Sequence, residues 1–138
     1  MHYLNSLEAL NTSNQRIRDL IQGKYKDGLP PTGVFLWVDV RDVAESHVRA
    51  IEVPQAGGKR FFVTAGYYTN KEVADAIREA HPELESKLPP KDTPTDFPAD
   101  VYGFNNKRSV EILGLKYHTL KQTVADTVNT LLAVGADK

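Results

Sequence analysis

Two carboxylates three residues apart, Asp39 and Asp42, follow a run of five apolar residues, Val34 to Val38, and are the pair whose type and spacing could do acid–base chemistry. The same positions have a purely structural use. At the first turn of a helix a carboxylate accepts the free backbone N–H groups and meets the positive end of the helix dipole. Asp39 therefore reads as an N-cap and Asp42 as its partner three residues on, and no catalytic residue is assigned. His47 falls on the apolar side of the helix that follows and reads as a buried packing residue. His2, His81 and His118 show no metal-ligand spacing, so no metal site is expected. With no cysteine in the chain, disulfides, thiolate nucleophiles and Cys-ligated zinc are excluded. No Gly-x-Gly-x-x-Gly or Gly-x-x-Gly-x-x-Gly segment follows a strand, so no phosphate cradle at a helix N-terminus is expected.

The elements that must position these residues can be read from periodicity. Val34 to Val38 has no polar alternation, which predicts a strand with both faces covered, as in a parallel sheet. The helix after it puts Val43, Ala44, His47, Val48 and Ile51 on one face, expected to be buried. Before it, residues 6–22 read as a helix with Leu10, Ile17, Leu20 and Ile21 on one stripe and Ser13 as a possible cap of its last part. After it come a second short strand at Arg60 to Thr64 and a helix capped by Thr69 or Asn70, with Val73, Ala74, Ile77 and Ala80 inward. A helical turn is expected at Glu83 to Lys87. Leu88 to Asp100 carries Pro89, Pro90, Pro94 and Pro98 and has no regular pattern. A third extended segment is expected at Val101 to Phe104, then a helix from Asn106 to Leu113 capped by Asn105. The last helix carries Leu120, Val124, Val128, Leu131 and Leu132. Two or three short strands are too few to cover a strand that is apolar on both sides, so most of its sheet is expected to come from residues outside this chain.

Composition narrows the partners. Lys and Arg number 17 against 18 Asp and Glu, a net charge of −1, which argues against nucleic acid and against an anionic membrane surface. No apolar run approaches the roughly 20 residues needed to cross a bilayer. The N-terminal residues lack the positive region and apolar core of a secretory signal, so a cytoplasmic protein is expected.

Four segments in order carry a resemblance: Leu10-Asn11-Thr12-Ser13; the apolar strand running into Asp39-Val-Arg-Asp42-Val-Ala-x-x-His47; Lys59-Arg-Phe-Phe-Val-Thr64; and Asn105-Asn-Lys-Arg-Ser109 leading to Leu113-Gly-Leu115. Together they resemble the C-terminal half of an extended short-chain dehydrogenase/reductase. The group is the dihydroflavonol-reductase-like one that includes fungal aldehyde, ketone and methylglyoxal reductases. The implied fold is α/β, a substrate-binding lobe of several helices and two or three short strands that lacks most of the Rossmann sheet. Residues 1–138 would form one such region, and residues 1–56 would hold the strand and helices that dock on a nucleotide-binding N-terminal domain.

The implied activity of the parent is NADPH-dependent reduction of small aldehydes and ketones, with NADP(H) bound mainly by that N-terminal domain. The family's tyrosine, the lysine four residues later and the upstream serine would all precede residue 1. The chain is accordingly read as lacking a Tyr-x-x-x-Lys and as inactive alone. The resemblance implies Ser13, and more weakly Thr12, as contacts to the nicotinamide end of the cofactor. It places Arg16 and Leu36 in the substrate cleft and Pro89 to Pro98 over the substrate mouth. Asn105 stands where the family usually has aspartate. Two rivals remain: a nucleotide-sugar epimerase or dehydratase lobe, whose diphosphate calls for arginines where Leu88 to Asp100 offers only Lys91, and a non-catalytic binding module. An uncovered apolar strand also predicts self-association.

Overall fold

The computed structural model describes residues 10–136. In chain order the elements are α1 (Thr12–Ile21), β1 (Leu36–Trp37), α2 (Val40–Glu52), β2 (Gly66–Tyr67), α3 (Asn70–Ala80), α4 (Lys107–Glu111) and α5 (Leu120–Ala133), with 3-10 turns at Pro54–Ala56 and Pro82–Lys87. Five of the elements are helices, and each of the four long ones begins on a polar cap. The side chains of Asn11, Asp39, Thr69 and Thr119 each accept a first-turn backbone N–H. Ser13 is therefore not a cap; Asn11 starts α1 two residues earlier. The expected stretch 6–9 of that helix lies outside the described residues.

The core is made by α1, α3 and α5. Leu20 and Ile21, Val73, Ala74 and Ile77, and Val124, Val128 and Leu131 interlock there, with Leu84 and Leu88 closing one end. In α1, α3 and α5 the stripes read from sequence are the ones turned inward, with Ile17, Leu120 and Leu132 half-buried at the edge and Ala76 in place of Ala80, which is exposed on the last turn of α3. A smaller cluster joins Ala56, Leu113 and Leu115 with Phe61 and Val63 packed on it.

The strands depart from expectation in an instructive way. The five-residue apolar run forms a ladder only at Leu36 and Trp37, paired antiparallel with Tyr67 and Gly66. These are the only two strands among the described residues. Neither face of the run is fully covered: Phe35 to Val38 are half-buried and Val34 is 63% exposed. A ladder with one short neighbour stops as soon as that neighbour turns away. Arg60 to Thr64 is not a strand either; Phe61 and Val63 face the small cluster while Phe62 is exposed, and the pairing shifts to Gly66–Tyr67. Val101 to Phe104 has no ladder and is held through side chains, with Tyr67 Oη donating to the Tyr102 carbonyl at 2.8 Å and Tyr102 Oη accepting from Phe35 N at 2.9 Å.

Helix α2 is inverted relative to the expected burial. Its buried residues are Asp42 and Ser46, whereas Val40, Val48 and Ile51 are 42%, 53% and 88% exposed and Ala44 and His47 also face solvent. His47 is thus not a core histidine; its Nδ1 lies 2.7 Å from the Val43 carbonyl oxygen. The helix docks by its polar side because that side has partners: Asp39 and Asp42 reach α5 and its entry, and Arg49 Nε donates to the Leu113 carbonyl at 3.0 Å. The apolar side, Val43 apart, is left exposed. Near the end, α4 begins at Lys107 with Asn106 at the N-cap position, although the Asn105 side chain does accept from Lys107 N at 3.0 Å. Gly114 leaves α4 with φ +72°, a conformation that favours glycine.

Candidate functional site

Asn11 fixes the start of α1 by accepting from Asn14 N at 3.1 Å, and this places Ser13 on the exposed first turn. Ser13 there lines a cleft of about 290 Å³ whose other walls are Asn14, the chain from Val38 to Arg41, and Thr127 and Thr130 of α5. The floor is an ion-pair lattice. Arg41 donates through Nε and Nη2 to the two oxygens of Asp39, at 3.0 and 2.7 Å, and through Nη1 to Asp126 at 2.7 Å. Asp39 is buried and also receives Arg41 N at 2.8 Å and Thr123 Oγ1 at 2.6 Å. Burial alone would push the Asp39 carboxyl up. The Arg41 guanidinium, the Thr123 hydroxyl and the Arg41 amide outweigh it and hold the group well below the usual carboxylate range.

Two carboxylates against one guanidinium leave the floor of this cleft with a formal charge of −1. Such a cleft repels a phosphate. It suits a neutral group that exchanges hydrogen bonds with a hydroxyl, such as the carboxamide or ribose of the nicotinamide end of a dinucleotide, to which Ser13 offers both a donor and an acceptor. Asp39 and Asp42 are not a reacting pair. Asp39 is saturated as above, and Asp42, equally buried, accepts from His118 N at 3.0 Å and lies 2.6 Å from His118 Nδ1. That Asp42–His118 contact, between positions 76 apart, was invisible to spacing rules.

The other sequence-predicted residues do not gather in the Ser13 cleft. Thr12 is exposed on the turn beside it. Arg16, one turn along α1, turns to the Thr32 carbonyl at 3.0 Å and to Asn70 Oδ1 at 3.3 Å. Leu36 sits half-buried in the β1–β2 ladder opposite Tyr67. On the far side of that ladder Tyr67, Thr69, Glu72, Thr95 and Phe97 enclose a shallow hollow of about 260 Å³. Phe97 comes from the proline-rich stretch and meets Phe35 and Tyr67 edge-on, with centroids 5.5 and 5.3 Å apart.

One sequence reading needs correction. Two pairs, Tyr67 with Lys71 and Tyr117 with Lys121, do stand in Tyr-x-x-x-Lys spacing; the Tyr117 hydroxyl lies 2.7 Å from Ser109 Oγ, while Lys121 pairs with Glu79 at 2.7 Å. In the first pair too, each side chain is engaged elsewhere. Tyr67 is in β2 with its hydroxyl on the Tyr102 carbonyl, and Lys71 in α3 pairs with Asp75 at 2.5 Å. Separated by the start of a helix and turned to different partners, they do not form a proton-transfer pair. Among the described residues no group of three or more His, Asp or Glu side chains could hold a metal ion.

No protein-family model matches the chain. Individual relatives do. Ketoreductase azaE of Aspergillus niger is 49% identical over 131 residues, which is 94% of this chain and 39% of that protein. The NADPH-dependent methylglyoxal reductase GRE2 of Saccharomyces cerevisiae is 30% identical over 125 residues, 89% of this chain and 36% of its own length. Among solved structures, Gre2 of Candida albicans in its NADPH complex superposes with a TM-score of 0.79 at 29% identity, covering 95% of this chain and 39% of that one. The yeast methylglyoxal/isovaleraldehyde reductase Gre2 with NADPH gives the same TM-score over 94% and 38%. The chain is thus similar to fungal methylglyoxal and ketone reductases and spans about two fifths of the length of the relatives it matches.

Proposed function

We infer that this chain is the substrate-binding lobe of an NADPH-dependent carbonyl reductase acting in the cytosol on small aldehydes or ketones. The observation that carries this reading is the bare apolar side of α2, with Val40, Val48 and Ile51 exposed beside the Ser13 cleft. Exposed aliphatic side chains gathered on one helix face form the kind of apolar patch that marks an interaction surface. The cover that suits the position is the nucleotide-binding N-terminal domain, docked against the strand and helices within residues 1–56. When bound, NADPH supplies the hydride. This chain's own share is to receive the nicotinamide end at the Ser13 hydroxyl, with Thr12 at the rim, and to shape the carbonyl site with Arg16 and Leu36. The proton donor to the carbonyl oxygen would come from the N-terminal domain, since in both Tyr-x-x-x-Lys pairs of this chain the lysine is held by a carboxylate, Lys71 by Asp75 and Lys121 by Glu79, and the tyrosine hydroxyl by another partner.

The nucleotide-sugar reading is disfavoured by the charge of the Ser13 cleft and by a proline-rich stretch whose one cation is Lys91. The test is a fused reductase, in which the N-terminal part of the Aspergillus niger ketoreductase is joined to these 138 residues. Ser13→Ala should raise its KM for NADPH about two- to tenfold, the worth of one hydrogen bond. Arg16→Leu should change the KM for the carbonyl compound and leave that for NADPH. Unchanged constants in both variants would refute the assignment of these residues.

A further inference from the structure

A buried polar network centred on Thr32 lies outside the Ser13 cleft and joins four stretches that are distant in sequence. Thr32 is buried, yet all of its polar atoms are engaged. Its N–H donates to Asp96 Oδ2 at 2.6 Å and its hydroxyl to Asp96 Oδ1 at 2.7 Å. The same hydroxyl accepts from Asn70 N at 3.0 Å, the first amide of α3, and the Thr32 carbonyl accepts from Arg16 Nη1 at 3.0 Å. Asn70, also buried, donates to the Pro30 carbonyl at 2.8 Å and accepts from Arg16 at 3.3 Å.

Asp96 belongs to the strap from Leu88 to Phe104, where four prolines remove the N–H groups that a ladder would need. A segment that cannot pair through its backbone must be fastened by side chains. Asp96 and Phe97 are adjacent and do this in two ways. The carboxylate grips both donors of Thr32, a charge-assisted pair of bonds, and the ring packs edge-on against Phe35 and Tyr67.

The geometry points to Asp96 as the residue that fastens the strap across the aromatic surface of the β1–β2 ladder and, through Thr32, fixes the guanidinium of Arg16. Asp96 is a positioning residue in this account. The latch follows from the contacts alone; its effect on substrate rests on the reading of Arg16 given above. The groups around the carboxylate are Arg16 from α1 and Tyr68 from the entry to α3. Burial pushes the Asp96 carboxyl up, while the Thr32 amide and hydroxyl and the Arg16 charge pull it further down, below its ordinary value. A depressed carboxyl keeps its bonds at neutral pH and loses them on acidification, so the latch opens only at a pH below the ordinary aspartate range.

The experiment is amide and side-chain NMR with hydrogen exchange on the 138-residue chain. In the unsubstituted protein the Thr32 amide and Arg16 Nε signals should titrate together with one carboxyl group, at a midpoint below that of a free aspartate. Asp96→Asn should abolish that titration, displace the Arg16 signal and speed exchange across residues 92–104 on the order of tenfold or more, with the core amides of α3 and α5 unchanged. Thr32→Val, which removes one of the two donors, should give a smaller acceleration, and Asp92→Asn in the same strap none. A Thr32 amide that follows no carboxyl group overturns the proposal whether or not the variants fold, as does an Arg16 signal unmoved by Asp96→Asn. In the fused reductase, Asp96→Asn that raises the KM for the carbonyl compound with kcat held supports the whole chain of contacts. Fast strap exchange with an unchanged KM upholds the latch and removes Arg16 from the substrate.

Discussion

Replacing Asp39 by alanine should cost this lobe about 2–4 kcal/mol at neutral pH. The carboxylate caps α2 by accepting Arg41 N, a role worth roughly 1 kcal/mol. It also accepts from Thr123 Oγ1 at 2.6 Å, and the loss of one partner of a buried hydrogen bond costs about 1–3 kcal/mol. The ion pair with Arg41 adds little beyond this. That guanidinium is 31% exposed and keeps Asp126 as a partner, so water and the second carboxylate replace much of what is lost. Urea unfolding followed by far-UV circular dichroism gives the difference directly. Asp39→Asn keeps a good cap and should cost less than half as much.

The pH dependence supplies a separate check. The folded-state Asp39 carboxyl is depressed below its ordinary value, so its contribution is fully present above the unfolded value of about 3.9 and is lost as the pH falls toward the folded one. The gap between wild type and Asp39→Asn should therefore narrow as the pH falls from about 5 to about 2. A cost under about 0.5 kcal/mol for the alanine variant, or a gap that is constant with pH, would refute the clamp between α2 and α5.

Gly114→Ala should lose about 1–2 kcal/mol in the same unfolding assay, because φ +72° is costly for any side chain; the new methyl itself would only touch Arg49 Nη2, at 3.7 Å. Ser109→Ala should cost about 1–3 kcal/mol, since the buried hydroxyl donates to the Asn106 carbonyl at 2.6 Å and lies 2.7 Å from Tyr117 Oη. The chain alone should self-associate through the bare side of α2, and the double variant Val48→Glu with Ile51→Glu should shift light scattering to monomer with little change in stability; a monodisperse wild-type monomer at high concentration would contradict this.

How much of this could be read beforehand depended on whether a residue's role is set by its neighbours in sequence. The helices were legible because their caps and apolar stripes are local: Thr69 and Asp39 cap as read, and Ile77, Val124 and Val128 are buried as the 3.6 period requires. The five-residue apolar run was legible as a strand made for neighbours on both sides, and its half-exposed state here reflects their absence among the described residues. The side of α2 that is buried was misjudged for the same reason. Periodicity finds the apolar face, but only a partner decides whether it is covered, and within this lobe the polar side found partners first.

The contacts between remote segments left no trace in spacing. Asp96 reaching Thr32 across 64 positions and Asp42 meeting His118 across 76 are created by the chain path. Nothing in a proline-rich stretch marks one of its acids as an anchor. The candidate site was legible only in part: resemblance led to Ser13, which does line a polar cleft, while Thr12, Arg16 and Leu36 lie around it rather than in it.

The central claim is that these residues supply a carbonyl-binding lobe that works only against a separate nucleotide-binding domain. It is tested most directly by following NADPH absorbance with a panel of small aldehydes and ketones, for this chain alone, for the N-terminal part of the Aspergillus niger ketoreductase alone, and for the two mixed or fused. Turnover should appear only when both are present, and Ile51→Glu on the α2 face should weaken the assembly of the mixed pieces. Turnover by this chain by itself, or a fused protein that folds and binds NADPH yet reduces none of the panel, would contradict the account.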